Sequence, residues 1–305
     1  MKTTSKHDGD SQSPKTCFLN IADFAIRLIV SDRQFHLPKN YRPFFATESN
    51  LEHLCDVNVV DKRPDEGELT PVYHTEDLGF RQEVLTTADN AYIVRTYQSD
   101  TQIAAVMKCS ARFLTNTIWL THSDEASMAF GFNNSMMIAF AFASAYHKTL
   151  AMHSSVVAKD GKAYMFLGRS GTGKSTHSSL WLRHLEGFHL LNDDNPVLRV
   201  KDDKVWIFGS PWSGKTPCYR QEQAQVGGIV MLEQAPHNKM WKKDVPEALA
   251  ALMVSCSLMI WDRPSYNMLL ETMSDVIGLV GIHHLQCLPD ADAAQLSHST
   301  ISHHA

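Results

Sequence analysis

No run of this sequence is long enough and apolar enough to span a bilayer. Its most apolar stretch, Met136 to Ala145, is bounded by Asn133, Asn134, Tyr146 and His147. The opening MKTTSKHDGDSQSPK has no apolar h-region, so a secretory signal is not expected, and its polar content predicts a disordered lead-in over residues 1–16. Cys17, Cys55, Cys109, Cys218, Cys256 and Cys287 form no C-x-x-C pair, which argues against a zinc site or redox dithiol and for reduced, mostly buried thiols. Positive charge is not in excess either: the formal net charge is -5, so neither a nucleic acid nor an anionic membrane is an expected partner. The G-x-S-x-G elbow of serine hydrolases and the G-x-G-x-x-G fingerprint of dinucleotide binding are both missing. A cytoplasmic protein is the expectation, and composition does not encode its oligomeric state.

What is present is a phosphate loop in the right surroundings. The apolar run Ala163 to Leu167 reads as a buried strand, Gly168 to Ser175 fits G-x-x-x-x-G-K-[ST], and a helical pattern runs from Ser175 to Leu185. Gly168, Gly171 and Gly173 free the backbone to turn its N–H groups toward phosphate oxygens at a helix N-terminus. Arg169, Ser170, Thr172 and Thr176 complete the loop, Lys174 is the candidate ligand of the β- and γ-phosphates, and Ser175 is a candidate ligand of Mg²⁺. ATP is the expected nucleotide, with GTP as the alternative.

An acidic element follows. Phe188 to Leu191 reads as a strand running into Asn192, Asp193, Asp194 and Asn195. A carboxylate at the end of a strand beside the loop strand can hold Mg²⁺, and an adjacent one can take a proton from an acceptor hydroxyl. His153 lies on a strand, Met152 to Val157, that turns at Lys159, Asp160 and Gly161 into the loop strand, which makes it a candidate for a supporting role near the phosphates; the competing reading is a structural histidine. A second polar loop, GSPWSGK, offers Ser210, Ser213 and Lys215 for an acceptor or anion, and Trp212 as a pocket wall; the competing reading is a tight turn with a packed Trp212. Arg263 is a candidate charge-neutralising group, with a salt bridge as the alternative.

The remaining chain reads in two parts. Residues 17–122 form a β-rich, antiparallel N-terminal domain, with strands expected in Leu19–Val30, Val57–Val60, Phe80–Leu85, Ala91–Tyr97 and Gln102–Lys108. Residues 123–305 form the nucleotide-binding domain. They open on one or two buried helices between Glu125 and Lys148 and carry further helices at Pro246–Ser255, Tyr266–Gly278 and Ala291–Ile301.

The order His153, GRSGTGKST, LLNDDNPVLRV resembles the catalytic core of the HPr kinase/phosphorylase and ATP-dependent phosphoenolpyruvate carboxykinase superfamily, over residues 145–300. The resemblance implies an α/β fold with a compact P-loop kinase core. It also implies Asp193 as general base, Asp194 as metal ligand, Lys174 and His153 at the phosphates, and Ser175 on Mg²⁺. Thr176 stands where the HPr enzyme carries an acidic residue, and QAPHNKMWKKDVPEA does not match its substrate loop. The implied activity is phosphoryl transfer to a hydroxyl of a small molecule, peptide or protein. The alternative is an NTPase or a nucleotide-binding regulatory module without an acceptor.

Overall fold

The computed structural model describes residues 14–47, 51–77, 80–214 and 216–302. It is a mixed α/β structure with two large sheets, the first of them built wholly from the N-terminal part. That sheet comprises β1 (Lys15–Ile21), β2 (Phe24–Val30), β3 (Phe45–Ala46), β4 (Glu52–Val60), β5 (Leu69–Asp77), β6 (Phe80–Thr87), β7 (Tyr92–Tyr97), β8 (Ile103–Cys109) and β9 (Thr115–Leu120). Its order is β3-β1-β2-β4-β9-β8-β7-β6-β5. Lys15 and Thr16, expected in the lead-in, already belong to β1. The sheet is not purely antiparallel as expected: β4 lies parallel to both β2 and β9. Local alternation buries one face of a strand, but it carries no information on which strand lies alongside.

One helix, α1 (Glu125–Ser144), fills the apolar stretch between the sheets. Asp124 caps it by accepting from the Ser127 N–H at 2.9 Å, a contact worth about 1 kcal/mol. Gly131 lets the helix approach the first sheet, because a Cβ there would lie 2.9 Å from the Ala104 carbonyl oxygen. The helix is apolar nearly all round because it is covered on both sides. Phe24 of β2 meets Phe140 at 6.3 Å, and Phe140 meets Trp212 at 5.6 Å. Among the described residues no helix is long and apolar enough to cross a membrane.

The second sheet holds β10 (Thr149–Ala151), β11 (Ser154–Lys159), β12 (Lys162–Leu167), β13 (His189–Asp194), β14 (Val197–Lys201), β15 (Lys204–Phe208), β16 (Gln223–Gln234), β17 (Lys239–Lys242) and β18 (His283–Cys287). Its order is β10-β14-β15-β16-β12-β11-β13, with β18 beside β16 and β17 beside β18. Four helices flank it: α2 (Lys174–His184), α3 (Val245–Met253), α4 (Arg263–Leu279) and α5 (Ala291–Ser302). Alternation along β12 serves both faces, Met165 joining the core under α3 and α4 and Phe166 the core under α2 and α5. The acidic strand does not lie beside the loop strand as expected. β11 separates them, pairing with both.

His177 docks α2 onto α5. Ser297 Oγ donates to the Ala294 carbonyl at 3.0 Å and receives Trp181 Nε1 at 2.9 Å and His177 Nε2 at 3.0 Å. His177 is 2% exposed, and burial pushes its pKa down from 6.5 to about 4. The folded chain thus holds the neutral ring, while the unfolded chain takes up a proton below pH 6.5. Stability is therefore lost as pH falls from 6.5 to about 4, by a total of about 3 kcal/mol. Urea denaturation across that window is expected to show this loss, and His177→Gln to flatten it; an equal slope in the variant would contradict the assignment.

Candidate active site

The site is assembled by strand register. Ser154, the first residue of β11, pairs with Leu167 at the end of β12 and with Asp194 at the end of β13. The residue before β11, the loop after β12 and the turn at the end of β13 therefore come together at one end of the sheet. Gly168, Gly171 and Gly173 take φ values of 152°, 82° and 100°, conformations from which a Cβ is largely barred. Thr172 closes the turn, its hydroxyl donating to the Arg169 carbonyl at 2.7 Å. Arg169, Ser170 and Gly171 are exposed at the crown, and Thr176 is exposed in the first turn of α2.

Lys174 opens α2 and folds back under the loop. Its ammonium donates to the Gly168 carbonyl at 2.9 Å and lies 2.9 Å from His153 Nε2, with the Arg169 carbonyl at 3.4 Å. It is 9% exposed. Burial pushes its pKa down, and the Asp194 and Asp193 carboxylates pull it back up. Behind it, His153 Nδ1 lies 2.9 Å from Asp194 Oδ1. Since the ammonium can only donate, Nε2 accepts, and Nδ1 carries the proton toward Asp194. The second carboxylate makes a separate pair: Ser175 Oγ donates to Asp193 Oδ1 at 2.8 Å. Asp193 is 4% exposed, whereas the Asp194 side chain is 32% exposed.

The turn carrying the two aspartates is held under strain. Asp194 has a φ of 122°, a conformation costing about 1–3 kcal/mol that persists only where the surroundings impose it. Gly214 N–H and Ser213 Oγ both donate to the Asp193 carbonyl, at 2.7 and 3.0 Å. A Cβ on Gly214 would lie 3.1 Å from that of Asp194. Asn192, fully buried, donates to the Trp212 carbonyl at 3.1 Å and accepts from Asn195 N–H at 3.0 Å. The structural work of Asn192 and Asn195 was not foreseen; their position either side of Asp193 and Asp194 was its only signal.

The GSPWSGK loop thus supports the aspartates from behind. Ser210, fully buried, donates to the Asn195 carbonyl at 2.6 Å and accepts from Trp212 N–H at 3.1 Å. Trp212 is packed, as in the competing reading, its Nε1 donating to Tyr41 Oη at 3.1 Å. Neither faces an incoming acceptor, because both are spent inside the core. Ser213 is half-buried, and Lys215 lies outside the described residues. Arg263 is exposed at the start of α4 and makes no hydrogen bond or ion pair among the described residues, so the structure does not bring it to the cluster. Sequence reasoning also missed the segment after α3, where the Ser255 carbonyl accepts from His153 N–H at 2.7 Å. A cavity of about 440 Å³ opens beside the loop between Thr172, Thr176, Leu180, Leu232, Leu288 and Pro289.

No family model matches this chain, and no curated protein matches it. Among solved structures it is similar to the HPr(Ser) kinase/phosphatase from Coxiella burnetii. The likeness has 12% identity, 50% of this chain and 93% of that chain covered, and a TM-score of 0.29. A likeness at that level carries no argument about chemistry, which has to come from the side chains themselves.

The tautomer is directly testable. Nitrogen NMR of labelled protein is expected to show His153 protonated at Nδ1 and bare at Nε2, with Asp194→Ala mixing the two tautomers. A proton on Nε2 in the wild type would contradict the Lys174–His153–Asp194 chain.

Proposed function

We propose that this chain is a Mg-nucleotide-dependent kinase built on a P-loop core of the HPr kinase type, transferring a phosphoryl group to a hydroxyl of a small molecule, peptide or protein. The observation that carries it is the convergence of a three-glycine turn, a buried lysine at a helix N-terminus and two separately partnered carboxylates. Backbone N–H groups of the turn and the Lys174 ammonium supply the donors that a polyphosphate requires. The cavity beside the loop, with Leu180, Leu232, Leu288 and Pro289 in its wall, offers an apolar shelf to the face of adenine or guanine.

The Ser175 hydroxyl and the Asp193 carboxylate are hard oxygen donors 2.8 Å apart, the kind of pair that suits Mg²⁺. When bound, that ion supplies positive charge at the phosphate oxygens. This assignment exchanges the roles the resemblance implied: Asp193 goes to the metal, and the more exposed Asp194 receives the acceptor's proton. His153 orients Asp194 and links it to Lys174, so the proton-accepting group and the phosphate-binding group are held by one chain of contacts. Residues 17–122 are proposed to serve as a scaffold, since β1 to β9 contribute none of these side chains.

Phosphorus NMR with Mg-ATP or Mg-GTP and a set of hydroxyl compounds is expected to show a new phosphoester. Lys174→Met should slow its formation on the order of 10²–10³-fold. Asp194→Asn should slow it on the order of 10²–10⁴-fold while nucleotide binding persists, and Asp193→Asn should weaken the Mg²⁺ requirement. Phosphate release without an acceptor would convert the reading to an NTPase; unchanged transfer in Lys174→Met would overturn it.

A further inference from the structure

The first sheet ends on β3, beside β1, and a cavity of about 750 Å³ lies over one face of that end. The start of α1 and the 3₁₀ helix Lys39–Phe44 complete its walls. Strand register sets the floor: Lys15 pairs with Val30 of β2, Cys17 with Leu28, and Leu19 with Phe45 of β3. Lys15, Cys17, Val30 and Phe45 therefore share a face. None of the side chains assigned to the proposed active site lines this cavity.

The floor is apolar and accessible. Cys17, Val30 and Leu37 are half-buried against the core, and Phe45 is 50% exposed. Burial pushes the Cys17 thiol up, so it brings no charge. Residues 1–13 and 48–50 are polar apart from Met1 and offer this floor no other apolar cover. The rim is basic. Lys39 and Arg42 stand three residues apart on the 3₁₀ helix, a spacing at which side chains eclipse, and both line the cavity. With Lys15 they make three exposed cations, none with an ion pair or side-chain hydrogen bond among the described residues. Glu125 is the one carboxylate among the described residues of the lining, and it pairs with none of them. Such a floor selects hydrocarbon, and the unpaired rim selects an anion. Glu125 disfavours a second negative charge on the head group, and the Arg42 fork matches a planar carboxylate. The volume falls in the range of small-molecule sites.

We propose that this cavity binds a free acyl-chain carboxylate, in a ligand site separate from the phosphate loop. The chain lies over Cys17, Val30, Leu37 and Phe45, and Arg42 holds the carboxylate with Lys39 and Lys15 around it. A bilayer surface is the less suitable source of that chemistry, because the apolar side chains line a hollow instead of forming one face of an amphipathic helix. The site stands independently of the kinase reading.

Probes that vary head and tail separately test this on the full chain: decanoate, decanol, butanoate and decyl phosphate. Proton–carbon correlation NMR is expected to show the Val30 and Leu37 methyls shifting with decanoate to an equimolar endpoint. Decanol should bind about tenfold more weakly for want of the charge-assisted contacts. Butanoate should bind at least about a hundredfold more weakly for want of most of the chain, and decyl phosphate more weakly than decanoate. Lys39→Gln combined with Arg42→Gln, both at exposed side chains, should bring decanoate close to decanol while decanol stays within about twofold. Should that double variant not fold, the wild-type comparison decides alone. Unmoved methyls, equal binding of decanoate and decanol, or a double variant that keeps the full preference would overturn the site. Tighter binding of decyl phosphate would overturn the choice of head group. Shifts produced by phosphatidylglycerol vesicles but not by decanoate would overturn the free ligand.

Discussion

One buried cation, the Lys174 ammonium, organises the candidate site. That ammonium is taken out of water, and three sets of groups compensate it: the carbonyls of its own loop and, from further along the chain, the ring of His153 and the Asp194 carboxylate behind that ring. A buried ammonium is tolerable only with such partners. The register of β11 between β12 and β13 is what puts them in place, because Ser154 aligns Leu167 and Asp194 on either side of it.

The same constraint explains the rest of the second sheet's end. Asp194 faces His153 with its backbone in a conformation that side chains rarely adopt. The Asn192–Ser210–Trp212 network and the approach of Gly214 hold it there. Trp212 carries that support into the core shared with α1 and the first sheet, through Phe140 and Tyr41. The β-rich part is thus mechanically continuous with the aspartate turn without contributing a polar group to the site. The α3–α4 segment holds the backbone at His153, through the Ser255 carbonyl and the Ser257 N–H.

The local devices were legible in the sequence. Three glycines before a lysine at the head of a helix, and an aspartate pair at the end of a short strand, are patterns whose cause lies within a few residues. Arrangement across the chain was not. That β11 intervenes between the loop strand and the acidic strand depends on pairing, and the alternation of Val156, Val157 and Ala158 is the same beside either neighbour. β5 went unread because Pro71 and the exposed residues around it obscure the pattern, yet an edge strand tolerates proline. β17 went unread because its lysines suggested a loop, whereas Trp241 on the same strand stacks on His284 at 4.5 Å. Ser210 and Trp212 looked like pocket residues because their partners Asn195 and Tyr41 are remote or unremarkable in sequence.

The central claim is that the Lys174 loop and the Ser175–Asp193 pair together form a Mg-nucleotide site. Isothermal titration of the full chain with a non-hydrolysable ATP analogue, with and without Mg²⁺, tests it most directly. Saturable binding that strengthens with Mg²⁺ and disappears in Lys174→Met is the result the account requires. Absence of binding by the folded wild-type chain, or binding indifferent to Mg²⁺ and to Lys174, would contradict it.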